Sequence, residues 1–267
     1  MSLSQRVAVV SGVLAWLPSA VLGQGSAEGV GDLMKEIRIT QRADFEAWAR
    51  FSFDRHVVRQ RMDGEGTITR TQVLEFEVTA SPAGFDEELM RIDGRKPFSS
   101  EVREHRRARR FAKHYGQVRS GQEVDQQQGF SLAWLVQFPN YRLIGLETIE
   151  GVECYRLDFE PGIAGSSAAA VTRVPSRFVE AMAGSLWIAR RSHHLVRAQV
   201  KTLQPVRLSF GVARIVSLEV ALEAAPVAEN TWLPERISVR SHLSILGRDV
   251  RKQNVFSYSR FRAEMGG

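Results

Sequence analysis

The sequence predicts a mainly β protein with a few helices, built on a strongly curved antiparallel sheet. Two observations predict this fold class. Between residues 184 and 262, apolar residues recur at every second position through strand-length spans, which is typical of strands with one buried face. Turn residues separate these spans at short intervals, and roughly ten strands with few helices favour a sheet that is closed or nearly closed.

Length and composition are compatible with one large domain. At 267 residues the chain falls near the size of large β domains, which often reach about 200–250 residues. The formal net charge of +6 and the pI near 9.9 suit an anionic partner, although many exported bacterial proteins are simply basic. The only cysteine is Cys154, so no internal disulfide can form, and we expect this residue to be a small apolar side chain in a strand.

Residues 1–23 have the organisation of a secretory signal peptide. The N-terminal amine and Arg6 precede a mostly apolar run from Val7 to Leu22 that ends in small residues. This run is too short and too interrupted to be a comfortable membrane span, and no cysteine follows it for lipid attachment. We therefore expect a periplasmic or secreted mature protein, a monomer with a single domain over residues 24–267. A buried N-terminal helix is the alternative.

Three helices are predicted, near residues 31–49, 100–115 and 129–138. In the first, Leu33, Ile37, Phe45 and Trp48 recur at approximately helical spacing. The second has acidic residues in its first turn and basic residues in its last, which matches the helix dipole. The third is an apolar segment stopped by a proline.

Two turn sequences predict β-hairpins. The turn from Asp63 to Gly66 joins strands over residues 50–62 and 67–79, because its glycines allow the positive φ angles of a tight loop. Glu150 and Gly151 join a second pair of strands in the same way. A further short strand is predicted over residues 85–92.

The predicted helix over residues 100–115 is a candidate contact for anions. Its basic side chains Arg106, Arg107, Arg109 and Arg110 could meet anionic lipid headgroups on a membrane surface, or the phosphates of nucleic acid. The export signal and the lack of aromatic residues between the bases argue against nucleic acid, which is not an expected partner. A plain solvated helix is the alternative.

A search for catalytic patterns finds none of the common motifs: H-E-x-x-H, G-x-S-x-G, C-x-x-C and the P-loop are absent. Adjacent residues on a strand point to opposite faces, so we interpret His193 and His194 as a pair at a turn tip rather than as metal ligands. We expect no enzyme activity, no cofactor and no metal. A hydrolase whose scattered acids meet only in the fold is a distant alternative.

Several strand and turn segments carry a family resemblance that covers nearly the whole mature chain. They are residues 91–97, 141–145, 150–155, 184–189, 195–197, 232–236 and 256–261. Together they resemble a family of exported bacterial proteins that are similar to the outer-membrane lipoprotein-sorting carriers of the LolA/LolB type. These motifs are signatures of strands and turns, and none is a chemical signature.

The resemblance implies a LolA-like fold, an incomplete (half) β-barrel capped by helices, whose apolar inner face holds acyl chains without transforming them. An apolar ligand gains about 0.8 kcal/mol for each CH₂ removed from water. The expected partner is therefore a lipid or a lipidated protein, with an anionic membrane surface as a further contact. The alternative is a structural or interaction protein of the cell envelope whose own side chains fill the barrel.

Large apolar side chains are the candidates for lining such a cavity or its lid. They are Trp48, Phe130, Trp134, Leu135, Phe138, Trp187, Phe210 and Trp232. The first and third predicted helices would supply the lid. A large aromatic residue in a strand is more often part of the core than of a ligand site, and this remains the alternative for each tryptophan.

Overall fold

The computed structural model describes residues 27–81, 84–108, 141–161, 180–208 and 213–263. Within them, a long helix, α1 (Ala27–Trp48), precedes the strands, and residues 99–108 are also helical. The strands are β1 (Phe51–Met62), β2 (Ile68–Ser81), β3 (Gly84–Ile92), β4 (Tyr141–Ile149), β5 (Val152–Phe159), β6 (Met182–Ala189), β7 (Leu195–Thr202), β8 (Val206–Leu208), β9 (Ala213–Ala228), β10 (Thr231–Ile245) and β11 (Arg248–Ala263). The predicted signal peptide, the predicted helix over 129–138 and the end of the charged helix lie outside the described residues.

All of these strands belong to one antiparallel sheet of 11 strands, in the order β3-β2-β1-β11-β10-β9-β7-β6-β5-β4, with β8 paired to β9. The sheet is open, because its edge strands β3 and β4 do not pair with each other within the described ranges. The first and last strands are neighbours, and their pairing runs from Phe51 with Ala263 to Met62 with Arg251. The predicted mainly β, antiparallel fold is confirmed.

Both predicted hairpins are present, and their turn residues explain them. In the turn between β1 and β2, Oδ1 of Asp63 accepts the backbone N–H groups of Glu65 at 3.0 Å and Thr67 at 2.9 Å. In the turn between β4 and β5, Glu150 and Gly151 have φ angles of 50° and 85°. Two successive positive φ angles give the turn the twist that matches its strands, and glycine adopts such angles without a Cβ clash.

The two faces of the sheet differ, and α1 packs on one of them, here called the inner face. Met34, Ile37 and Trp48 of this helix join Val57, Ile237 and other strand residues in the main core cluster. The helix thus extends over the span that the spacing of its apolar residues predicts, and its buried stripe explains why it packs there. Within the part of the chain that the structure describes, no helix is both long and apolar enough to cross a membrane.

The opposite, outer face carries a smaller cluster of Cys154, Trp187, Ala189 and Val196. Leu186 belongs to the main cluster and Trp187 to this one, as strand alternation requires. Cys154 is fully buried in β5, and burial raises the pKa of its thiol. The expectation of a small apolar side chain in a strand is confirmed for this cysteine.

Candidate functional site

The inner face of β2, β1, β11 and β10 is organised in rows, because directly paired residues of an antiparallel sheet share a face. Going toward the hairpin tips, the rows are Phe76, Arg55 and Tyr258; Leu74, Val57, Phe256 and Ile237; Gln72, Arg59, Asn254 and Val239; and Arg70, Arg61, Lys252 and Ser241. On β2 and β11 the face therefore changes from apolar to amide-bearing and then to cationic within a few residues.

Trp48 lies at the apolar end of this face, in an aromatic cluster. Its ring centroid is 6.1 Å from that of Phe53, 6.4 Å from Phe85 and 5.8 Å from Tyr258. The residue is only 5% exposed, and within the described residues its indole N–H has no hydrogen-bond partner. Trp48 thus fixes the end of α1 to the sheet.

The apolar inner face continues beyond the fully buried residues. Partly buried apolar side chains that pack against the main cluster include Tyr141, Leu143, Leu218, Val239 and Phe256. They extend from the edge strand β4 to the central strands β9, β10 and β11. Along this surface, apolar atoms are only partly removed from water by the protein itself.

The helical segment over residues 99–108 contacts the inner face near β3 through His105. Nη1 of Arg55 lies 2.7 Å from Oε1 of Glu87, and Nε2 of His105 lies 3.6 Å from Oε2 of the same carboxylate. The guanidinium of Arg55 also lies 4.7 Å from the centroid of the Phe76 ring, which His105 contacts from 5.0 Å. Arg55 and His105 thus each contact both the Glu87 carboxylate and the Phe76 ring.

Two of the predicted headgroup contacts, Arg106 and Arg107, are exposed on this helical segment. The other two, Arg109 and Arg110, lie outside the described residues, as do Phe130, Trp134, Leu135, Phe138 and Phe210 among the predicted cavity residues. The roles of all these residues stay predictions.

Trp187 lies on the outer face, where its indole enters an ionic network. Its Nε1 donates to Oε2 of Glu147 at 2.6 Å, and Nη1 of Arg156 donates to Oε1 of the same carboxylate at 2.9 Å. Nε of Arg156 also donates to Asp158 at 3.0 Å. The hydrogen bond from Trp187 and then that from Arg156 lower the pKa of Glu147.

His194 belongs to a buried polar contact between α1 and the sheet. Its Nδ1 lies 2.7 Å from Oδ2 of Asp44, and Oδ1 of Asp44 accepts the backbone N–H of Trp232 at 3.0 Å. The rings of His194 and Trp232 stack with centroids 5.8 Å apart. The expectation that both histidines lie at a turn tip is wrong for His194, because the turn conformation falls on His193, with φ of 57°, and the next residue enters the interior.

Within the described residues, no group of three or more His, Cys, Asp or Glu side chains could hold a metal ion.

The sequence of β1 contains a pattern that the sequence analysis missed. Arg55, Arg59 and Arg61 alternate in phase with the buried Val57, so strand periodicity places three cations on the inner face of β1. Arg61 also pairs with Arg70 of β2 and Lys252 of β11, which gives three neighbouring cations at the end of this face. The sequence did not predict this arrangement, because β11 lies at the far end of the chain.

The fold and this surface define a class: an open antiparallel sheet with a helix packed on an apolar inner face that becomes cationic toward one end. The chain is similar to the crystal structure of a DUF1329 family protein from Desulfovibrio piger, with 14% identity, a TM-score of 0.40, and coverage of 89% of this chain and 94% of that one. It is also similar to the Pseudomonas aeruginosa MucA/MucB complex, with 12% identity, a TM-score of 0.24, and coverage of 89% and 100%.

A third similar structure is the Mycobacterium tuberculosis lipoprotein LppX, with 13% identity, a TM-score of 0.28, and coverage of 86% of this chain and 95% of that one. No protein-family model matches the chain, and no curated protein matches its sequence.

Proposed function

We propose that the protein is a non-catalytic carrier or binding protein for the acyl chains of a lipid or a lipidated protein. The observation that supports this proposal most is the partly buried apolar strip on the inner face, formed by Leu218, Val239 and Phe256 beside the main core cluster. The proposal includes export, with residues 1–23 as the signal peptide, and a monomeric mature chain.

An acyl chain placed along this strip would remove the remaining exposed apolar atoms of the strip from water. This burial stabilises the complex by about 25 cal/mol for each Å² of apolar surface. The sheet is open, so access to the inner face does not require breaking a closed ladder of strands. We propose that the sheet forms a half-barrel and that α1, with Trp48 at its end, covers the mouth together with the segment carrying Phe130, Trp134, Leu135 and Phe138.

A second candidate is an interaction protein of the cell envelope whose inner face is filled by its own side chains. The observation that favours it lies in β5 and β6, where Leu157, Leu186 and Ile188 are completely buried in the main cluster. If the whole inner face is filled in this way, no acyl chain can enter. The protein would then act through its exposed surface alone.

A pair of valine variants tests the proposal. Val239 lies on the inner face beside Phe256, whereas Val255 is a partly buried valine on the outer face of the adjacent strand. We expect Val239→Gln to weaken the binding of a fluorescent fatty acid about tenfold, the cost of a lost apolar contact and a buried amide, while Val255→Gln leaves binding unchanged. Absence of fatty-acid binding by the unaltered protein would favour the interaction protein instead.

A further inference from the structure

Three basic side chains face one another across the inner face near the hairpin tips. Arg61 on β1 is paired directly with Arg70 on β2 and with Lys252 on β11. These residues, called the cationic row, follow Val57 by two-residue steps without a register shift, so their side chains share its face. All three are exposed.

The cationic row is electrostatically unfavourable by itself. Directly opposed residues on one face of a sheet have Cβ atoms about 5 Å apart, and like charges in that arrangement are destabilising. The next row contains a further cation, Arg59, an exposed residue whose pKa is lowered by partial desolvation and then by the neighbouring Arg55 guanidinium. Four cations in two adjacent rows make this end of the face electropositive, which favours an anion there.

The protein does not supply that anion within the described residues, where no ion pair involves the cationic row. Glu87, an acidic residue on this face, is bound by Arg55 at 2.7 Å. Asp249, near the start of β11, lies 3.3 Å from Nε2 of His242. Glu65, in the turn between β1 and β2, is exposed and forms no ion pair with the row.

We propose that the cationic row binds the anionic headgroup of an amphiphile, a phosphate or carboxylate group whose acyl chain lies over Val239 and Phe256. This inference rests on the proposed function and adds the chemical class of the ligand. Guanidinium groups suit such headgroups because they donate paired hydrogen bonds to two oxygens at once.

The spacing along the strands fits one molecule of this kind. From Lys252 to Phe256 the strand advances four residues, or about 13 Å, which separates the head from the start of the chain. Between them, the amides of Gln72 and Asn254 share the face, and they offer hydrogen-bond partners for the ester or hydroxyl groups of a lipid linker. On β2 and β11, polarity therefore changes in the same order as along an anionic lipid.

The test compares two lysolipids with the same acyl chain, lysophosphatidylglycerol and lysophosphatidylcholine, titrated as monomers into the full protein. We expect the anionic lipid to bind at least about tenfold more tightly, because the choline ammonium of the other lipid cancels the charge of its phosphate and would be repelled by the same cations. The double variant Arg61→Gln/Lys252→Gln should lose this preference, because it removes two of the charges that distinguish the two headgroups. Since the substitutions relieve repulsion, this variant should be at least as stable as the unaltered protein.

The matched control is Lys201→Gln/Arg240→Gln, which removes the same charge from the outer face, where both residues neighbour Glu219. It should keep the preference for the anionic lipid. Equal binding of the two lipids by the unaltered protein would overturn the headgroup site and leave the proposed function intact, whereas binding of neither would overturn both. Inorganic phosphate is titrated as a separate probe, and affinity equal to that of the anionic lysolipid would assign the row to a free anion and overturn the lipid assignment.

Discussion

Nδ1 of His194 lies 2.7 Å from Oδ2 of Asp44, across 150 residues of sequence. Both side chains are buried, with His194 and Asp44 each 4% exposed. The same carboxylate accepts the backbone N–H of Trp232 at the start of β10. One aspartate therefore joins α1 to the chain entering β7 and to β10, and it fixes the position of the helix over the inner face.

Removing this carboxylate should destabilise the fold. We expect Asp44→Ala to lower the free energy of unfolding by about 3 kcal/mol, because His194 and the Trp232 amide would be left buried without a partner. Urea unfolding measures the loss. Glu46→Ala, on the same helix, is the control: it removes an exposed ion pair to Arg42 and should cost less than about 0.5 kcal/mol. Similar losses for the two variants would contradict the role of Asp44.

Two glycines should respond to alanine with opposite signs. A Cβ on Gly184 would overlap the backbone oxygen of Gln199 and approach Cε1 of Phe159 to 2.9 Å, so Gly184→Ala should destabilise the protein by at least about 1–3 kcal/mol. Gly31 lies in α1 with nothing within 4 Å of its added Cβ, and Gly31→Ala should stabilise by about 0.5–1 kcal/mol. Thermal unfolding of both variants gives the signs, and a neutral Gly184→Ala would show that β6 and β7 are less closely packed there.

The outer-face network predicts an acid-dependent contribution to stability. The ordinary pKa of a glutamate is about 4.3. The pKa of Glu147 in the folded protein lies below that value, because the ionised form accepts hydrogen bonds from Trp187 and Arg156. This group therefore stabilises the fold fully above the unfolded pKa, and the contribution is lost as the pH falls through the lower folded value.

The Trp187→Phe variant isolates the indole contribution, since it removes the donor and keeps an aromatic ring. The pKa of Glu147, followed by NMR titration of its carboxyl carbon, should rise toward the ordinary value in this variant. Asp249 is an internal control, because its lowered pKa depends on His242 and Ser244 and should not change. A Glu147 titration unaffected by the substitution would contradict the hydrogen bond.

Local sequence patterns predicted the parts of the fold that local physics controls. The glycine-containing turn at Asp63 to Gly66, the alternation that separates Leu186 from Trp187, and the apolar stripe of α1 all depend on residues close in sequence. Strand periodicity gives the face of a side chain. It does not give the neighbouring strand.

The features that depend on distant pairings could not be predicted in this way. Arg61 meets Lys252 only because β1 pairs with β11, and Asp44 meets His194 only because α1 crosses the start of β7. The sequence pattern instead favoured the charged helix over residues 100–115 as the contact for anions, because four arginines are close together there. A row made of one cation from each of three strands leaves no comparable local pattern.

The lipid content of the protein purified from a bacterial host is the most direct measurement of the central claim. The protein, expressed with residues 1–23 in a bacterial host and purified without detergent, would be analysed by native mass spectrometry before and after organic extraction. We predict a bound amphiphile, one per chain, that disappears on extraction and carries a phosphate or carboxylate group. A chain that has only its own mass, and that also fails to bind a fluorescent fatty acid, would contradict the carrier function.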